Sequence, residues 1–476
     1  MDQKIIKEGL TYRDVLLVPQ RSAIPTRKLI DTSSYLTRNI KLKIPIVSAN
    51  MDTVTEYKMA IAMARMGGIG VIHRFMTIEQ EAKEVEKVKR SESYRIDTPY
   101  SILPDKTLGE ARQLMKRYGV SGLLVVDESG RLEGILTRRD EIYEHDEFKL
   151  VRDLMTPKER LIVAYENIEL QEAKKILAKH RIEKLPLVNQ DNHLVGLITS
   201  KDIIKTMEYP NATKDDRGRL RVVAAIGTKE DALDRAKALQ EAGADALVID
   251  IAHGHSEMVI NTLELLKNYN IKIPIIAGNV ATPEAVRDLI AAGADAIKVG
   301  VGPGSTCITR LVAGVGVPQF TAVLECAREA EKHGIPIIAD GGVAFSGDIA
   351  KAIGAGASIV MLGSLLGGTD ESPGITLTKK GRKYKVSRGM ASLGANINRE
   401  ANKNTENSDY VAEGVEAMVP YRGSVAEILN QLVGGLKSGM SYSNAMTVIE
   451  MWQNARFCKI TDSGWAESKP HDVEVI

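Results

Sequence analysis

The chain has 476 residues, 44% of them hydrophobic and 26% charged, which suits two or three domains with ordinary water-soluble cores. Lysine and arginine (63) balance aspartate and glutamate (62), and the resulting net charge of +1 argues against specific nucleic-acid binding. No run of about 18 apolar residues marks a membrane span, the polar Met1-Asp-Gln-Lys4 start lacks an apolar signal core, and three scattered cysteines suit a reducing cytoplasm rather than a disulfide framework.

In chain order, short apolar runs that suit strands buried on both faces alternate with helical patterns. The first two runs are Pro45-Ile-Val-Ser-Ala49 and Gly68-Ile-Gly-Val-Ile-His73. A segment with an internal repeat follows. Leu108-Gly-Glu-Ala-Arg112 matches Leu170-Gln-Glu-Ala-Lys174 at an offset of 62 residues, and Gly134-Ile-Leu-Thr-Arg-Arg-Asp140 matches Gly196-Leu-Ile-Thr-Ser-Lys-Asp202 at the same offset. Each copy reads helix, strand, turn, strand, and the pair resembles tandem cystathionine-β-synthase-type (CBS) modules. That resemblance implies an adenine or guanine nucleotide ligand, with Thr137, Asp140, Thr199 and Asp202 facing it. Asp140 and Asp202 can equally cap the helices that follow them.

Six more strand runs then appear: 221–226, 246–250, 273–278, 296–300, 335–340 and 358–363. Between them, Thr282-Pro283 reads as a helix cap followed by a first-turn proline. The basic run Lys379-Lys-Gly-Arg-Lys383 reads as a hairpin tip. Eight β/α units predict an α/β fold, a (β/α)8 TIM barrel interrupted by the tandem modules, with chemistry at the carboxyl ends of the strands. A doubly wound sheet is the alternative. The boundaries are barrel at 1–95, modules at 96–155 and 156–209, and barrel again at 210–476, with a flap at about 385–415.

Cys307 follows a strand and the glycine-rich Gly300-Val-Gly-Pro-Gly-Ser305, where the backbone can turn sharply and present a thiol. Composition leaves two readings, a nucleophile or an incidental cysteine in a phosphate-cradling loop. Cys326 and Cys458 read as buried apolar cysteines. His253 and His255 have the spacing of two metal ligands, but no third ligand is evident, so they read as loop residues.

The run Gly302-Pro-Gly-Ser-Thr-Cys-Ile-Thr-Arg-Leu-Val-Ala-Gly-Val-Gly-Val-Pro-Gln319 resembles the signature of the IMP dehydrogenase and GMP reductase family. So do Leu10-Thr-Tyr-Arg-Asp-Val-Leu-Leu-Val-Pro19, Ser48-Ala-Asn-Met-Asp-Thr-Val54, Asp250-Ile-Ala-His-Gly-His-Ser256, Ala277-Gly-Asn-Val280, Asp340-Gly-Gly342, Gly363-Ser364 and Arg388-Gly-Met390. The resemblance implies an NAD-dependent oxidation of IMP through a covalent thioimidate on Cys307, with Thr309 beside it and Arg399 on the flap as the base for hydrolysis. It implies that Ser305, Asp340, Gly341, Gly342, Gly363, Ser364, Ser387, Arg388, Gly389, Met390, Ala391 and Glu413 bind the substrate nucleotide. Asp250, Asn279, Gly300, Val301 and Gly302 are implied for the dinucleotide. A potassium ion is implied on Gly302, Gly304 and Cys307, completed by Glu467, Ser468 and Lys469 of a neighbouring subunit. A cytoplasmic homotetramer, stacking to octamers, follows from the same resemblance.

The chain departs from the family pattern at three places. Glu400 follows Arg399 where tyrosine is expected, Ser387 stands where a tyrosine precedes Arg-Gly-Met, and Ile251 replaces a small hydroxylated residue. Glu400 could pair with Arg399 and oppose a base role. The sister activity, NADPH-dependent deamination of GMP to IMP, needs no water-activating arginine and is the alternative function; a weakly catalytic IMP-binding sensor is the third. Ala313, His253 and His255 depart from the reductase pattern instead.

Overall fold

The structure is a computed structural model, and it describes residues 7–92, 95–200, 203–204, 208–400, 411–470 and 472–473. Eight parallel strands close into a barrel: β1 (Ile46–Ser48), β2 (Ile69–Ile72), β3 (Val223–Ile226), β4 (Ala246–Asp250), β5 (Ile275–Val280), β6 (Ala296–Val299), β7 (Ile337–Asp340) and β8 (Ile359–Leu362). Closure runs through Val360 against Ile46 and through Val223 against Val71. All eight expected strands are present, and the (β/α)8 barrel is the fold.

The apolar runs are continuous because each strand feeds two cores. Along β4, Ala246 and Val248 point into the barrel with Val47, Val71 and Ile276. Leu247 and Ile249 alternate with them and pack outward under the helices with Leu263 and Val286. Local signals also hold. Thr282 caps the helix Pro283–Ala291 by accepting from the Ala285 amide, with the proline in its first turn. The basic run is a hairpin tip, with Lys380 and Gly381 both at positive φ (48° and 75°) between strands Thr376–Lys379 and Arg382–Arg388, the geometry of a two-residue hairpin turn.

The chain divides into two compact units, Met1–Ser91 with Asn211–Lys214 and Leu220–Ile476, and Glu92–Pro210 with Asp215–Arg219. The second unit repeats at the offset seen in the sequence: helix Leu108–Tyr118 and strands Gly122–Val126 and Leu132–Thr137 recur as Leu170–His180, Lys184–Val188 and Leu194–Thr199. Each copy has its own core, one around Leu108, Leu123 and Leu136 and the other around Ala173, Leu185 and Ile198. A third cluster, with Leu124, Ile135, Val188 and Leu197, joins them. Asp140 lies at the third position of the helix Arg138–Glu141 rather than ahead of it; Thr137 is the N-cap residue, and the Asp140 carboxylate completes a capping box by accepting from the Thr137 amide and hydroxyl, both at 2.7 Å. Asp202 lies outside the described residues.

One expectation needs correction. Cys458 is exposed rather than buried. It lies on the short surface strand Phe457–Lys459, where alternation turns Phe457 inward against Phe320 and Cys458 outward. Cys326 is fully buried, and burial pushes its thiol pKa up. The polar stretch read as flap is helical over Leu393–Glu400, with Ala395 and Asn396 buried.

Candidate active site

The polar residues gather at the carboxyl ends of the strands. After β6 the chain turns at Gly300, where a Cβ would come within 2.1 Å of the Asp340 carbonyl oxygen. Only glycine lets the two loops approach so closely. Gln319, buried on the next long helix, stitches them by donating to the carbonyls of Val299 (2.9 Å) and Asp340 (3.1 Å). Gly302, Gly341 and Gly342 all sit at positive φ. Arg310 donates to the Val317 carbonyl at 2.7 Å and lies against Gly302 and Gly316.

The thiol loop is held by distant backbone. The Ile308 amide donates to the Glu413 carbonyl (2.8 Å), and the Val415 amide donates to the Thr306 carbonyl (2.9 Å). Segment 413–415 is itself tied to Gly389 and Ala391 by bonds of 3.0 Å each. Cys307, Thr309, Gly389, Met390, Ala391 and Glu413 are thereby brought together. The Cys307 Sγ lies 3.3 Å from the Thr309 Oγ1, and that hydroxyl donates to the Glu413 carboxylate at 2.6 Å. This is a continuous path from thiol to carboxylate along which a proton can move.

A second cluster fills the mouth of the barrel. The Lys298 ammonium, on β6 and 2% exposed, bonds Asp250 (3.2 Å) and Asp340 (2.9 Å) and also donates to the Asn279 side-chain oxygen. The Asn279 amide nitrogen donates to Asp340 (2.9 Å) and to the Gly300 carbonyl (2.8 Å). Burial opposes ionisation of Asp250, but Lys298, Arg74 and Asn50 outweigh it and hold its pKa below the usual carboxylate range. Burial likewise opposes the charge on Lys298, and the two carboxylates raise its pKa in spite of it.

The remaining candidates are placed as follows. Ser305 and Gly342 are exposed, and Asp340, Gly341, Gly363 and Ser364 are half-buried. Gly363 opens a turn, its carbonyl accepting from the Leu366 and Gly367 amides at 3.0 Å. Val301 is nearly buried. Ser387 is 1% exposed, its hydroxyl has no hydrogen-bond partner among the described residues, and it faces Gly367. The Arg388 guanidinium is engaged by Asp52, with its Nε donating at 2.8 Å. Glu467, Ser468 and Lys469 end the short helix Asp462–Glu467 and are exposed, with the Lys469 ammonium 6.0 Å from the Trp465 ring centre. Arg399 and Glu400 lie on helix Leu393–Glu400, but their side chains, with all of 401–410, fall outside the described residues. The His253 and His255 rings are 6.4 Å apart, and His255 pairs with Asp288 at 2.8 Å. Among the described residues no cluster of three His, Cys, Asp or Glu side chains could hold a metal ion.

Sequence reasoning missed Lys298, Asn50, Asp52 and Arg74. Lys298 left a signal, a lone cation inside the apolar run Ala296-Ile-Lys-Val299. Asp52 lies inside the motif Ser48-Ala-Asn-Met-Asp-Thr-Val54, but its partner Arg388 is 336 residues away.

The family model for the "IMP dehydrogenase / GMP reductase domain" matches residues 9–471. The chain belongs to the IMP dehydrogenase / GMP reductase family. It is 55% identical to an inosine-5′-monophosphate dehydrogenase of Nitrosopumilus maritimus over 98% of this chain and 99% of that one. It is 52% identical to a GMP reductase of Leishmania donovani over 99% of this chain and 98% of that one. Among solved structures, a GMP reductase variant from Trypanosoma brucei in complex with guanosine 5′-monophosphate superposes with a TM-score of 0.91. It is 49% identical, with 98% of this chain and 99% of that chain covered. Family members are oxidoreductases, and no described helix is long and apolar enough to cross a membrane.

Proposed function

We propose that this protein is an NAD-dependent IMP dehydrogenase that converts IMP to xanthosine 5′-monophosphate in guanine nucleotide synthesis. The observation that carries the reading is the path from Cys307 through Thr309 to Glu413, beside a pair of carboxylates suited to two ribose diols. Cys307 thiolate adds to C2 of the purine, forming a C–S bond, and the C2 hydrogen leaves with its electron pair. NAD, when bound, supplies the acceptor for that hydride. The thioimidate left on Cys307 is hydrolysed: water adds at C2, the C–S bond breaks, and thiolate is regenerated. The proton of that water goes to a base, either Arg399 or Glu413 by way of Thr309. Arginine is ordinarily fully protonated, so the Thr309–Glu413 path is the base this site supports best.

Asp340 accepts the two ribose hydroxyls of IMP, as one carboxylate can. The amides at Gly363 and Ser364, with Ser305, meet the phosphate. Asp250 takes the nicotinamide ribose, with Asn279 and Gly300–Gly302 along that side. The carbonyls of Gly302, Gly304 and Cys307, that of Gly304 also accepting from the Cys307 amide at 3.2 Å, would hold a potassium ion. Glu467, Ser468 and Lys469 of a neighbouring subunit would complete it in a cytoplasmic homotetramer. The second unit holds a cavity of about 790 Å³ lined by Tyr100, Lys116, Ser121, Arg138, Lys184 and Thr199. Its cations and aromatic ring suit an adenine or guanine nucleotide.

Glu400 in place of the flap tyrosine, and the likeness to two GMP reductases, favour a second reading, NADPH-dependent deamination of GMP. One paired assay decides. IMP with NAD+ and potassium ions should generate NADH absorbance, whereas NADPH consumption with GMP alone would move the assignment to reductase.

A further inference from the structure

We infer that Lys298 is a positioning residue that couples the two nucleoside subsites, its one ammonium holding the carboxylate of each. The inference rests on the assignment of Asp340 to the substrate ribose and Asp250 to the dinucleotide ribose.

An ammonium has three N–H donors, and Lys298 has three acceptors: Asp250, Asn279 and Asp340. No donor is left for a ligand, so Lys298 acts through its partners and does not touch substrate. Both carboxylates lie within 3.2 Å of the same nitrogen. They are therefore within about 6 Å of each other, and without the cation their repulsion is opposed at Asp250 only by Arg74 and the Asn50 side chain, which favours proton uptake by the pair. A protonated carboxyl can no longer accept from both hydroxyls of a diol.

The ammonium is also confined. It is buried on β6, and the neighbouring Gly278 presses on its main chain and stem, since a Cβ there would meet the Lys298 carbonyl at 2.4 Å and its Cβ at 2.8 Å. A ribose that fixes Asp340 thereby fixes Lys298 and Asn279, which in turn fix Asp250. The second nucleoside then meets a carboxylate already ordered, and the cost of ordering is met only once. Linkage makes the effect reciprocal. A surface ion pair would show neither the shared cation nor the confinement.

The test uses the full-length Cys307→Ala protein, which can hold IMP and NAD+ together without reacting. Calorimetry gives the IMP dissociation constant with and without saturating NAD+, between pH 5.5 and 8. With Lys298 present, NAD+ should tighten IMP binding about fivefold or more. In Cys307→Ala/Lys298→Met that ratio should fall to about one, and IMP binding should gain a pH dependence as one carboxylate titrates. Lys298→Arg keeps the charge and should restore a pH-independent profile at least in part. A coupling ratio that survives Lys298→Met, or binding that weakens with no change in ratio or pH profile, would overturn the inference and leave Lys298 a stabilising ion pair. Should Lys298→Met fail to fold, Lys298→Gln, which stays polar but carries no charge, must also bring the coupling ratio to about one; a ratio that persists there overturns the inference equally. If the Cys307→Ala parent binds neither IMP nor NAD+, the functional assignment has failed rather than the coupling.

Discussion

At the scale of single residues, the chemistry rests on a few contacts of very different reach. Cys307 has Thr309 two positions away and Glu413 beyond it. Cys307→Ala should therefore lower turnover by at least about a thousandfold while leaving IMP binding intact; retained turnover would sink the thioimidate mechanism. Glu413→Gln separates the two halves of the reaction. If Glu413 receives the proton of water, a rapid burst of NADH should persist while steady-state turnover falls about a hundredfold; equal loss in both phases would contradict a role confined to hydrolysis. Arg399→Ala is the complementary variant, and unchanged steady-state turnover there removes Arg399 as the base.

Asp250 sets the sign of one pH effect. Its folded pKa is depressed, so its carboxylate contributes stability that is complete above the unfolded value of about 3.9. That contribution fades as pH falls through the lower folded value. Urea unfolding from pH 7 down to 3 should show the loss concentrated below about pH 4, and the Asp250→Asn protein should lose less over that range. An equal loss in the variant would show that other carboxylates carry it.

At the scale of elements, much was legible because barrel strands bury both faces and so read as unbroken apolar runs bounded by glycine and aspartate. Hairpin, proline-capped helix and module repeat were legible for similar local reasons, each resting on a few adjacent residues. What escaped notice depends on pairs far apart in the chain. Lys298 resembles an interruption of its strand until Asp250 and Asp340 are placed on either side of it, and Asp52 acquires meaning only through Arg388. Cys458 failed for another reason: alternation on a three-residue surface strand is too short to reveal which face is outward. The loop contacts make a further prediction. Gly300→Ala puts a methyl group on the Asp340 carbonyl, so the β6 and β7 loops must part. Activity should fall more than tenfold, with a loss of a few kcal/mol in stability by denaturant titration. A fully active, equally stable variant would show that this approach is not required.

At the scale of the whole molecule, the barrel pairs β2 directly with β3, although the second unit intervenes in sequence. That unit has its own cores. Replacing residues 96–209 by a short glycine-serine linker should leave IMP oxidation within a few-fold of the full chain while abolishing the binding of ATP or GTP, read by calorimetry. Nucleotide binding by the shortened chain would place that site in the barrel instead. The bonds from Ile308 and Val415 to Glu413 and Thr306 carry one more consequence, in the order of synthesis. The ribosome makes the thiol loop about a hundred residues before the segment that holds it. A chain grown only as far as the thiol loop therefore lacks Glu413, and the relay partner of Cys307 is made only after all eight barrel strands.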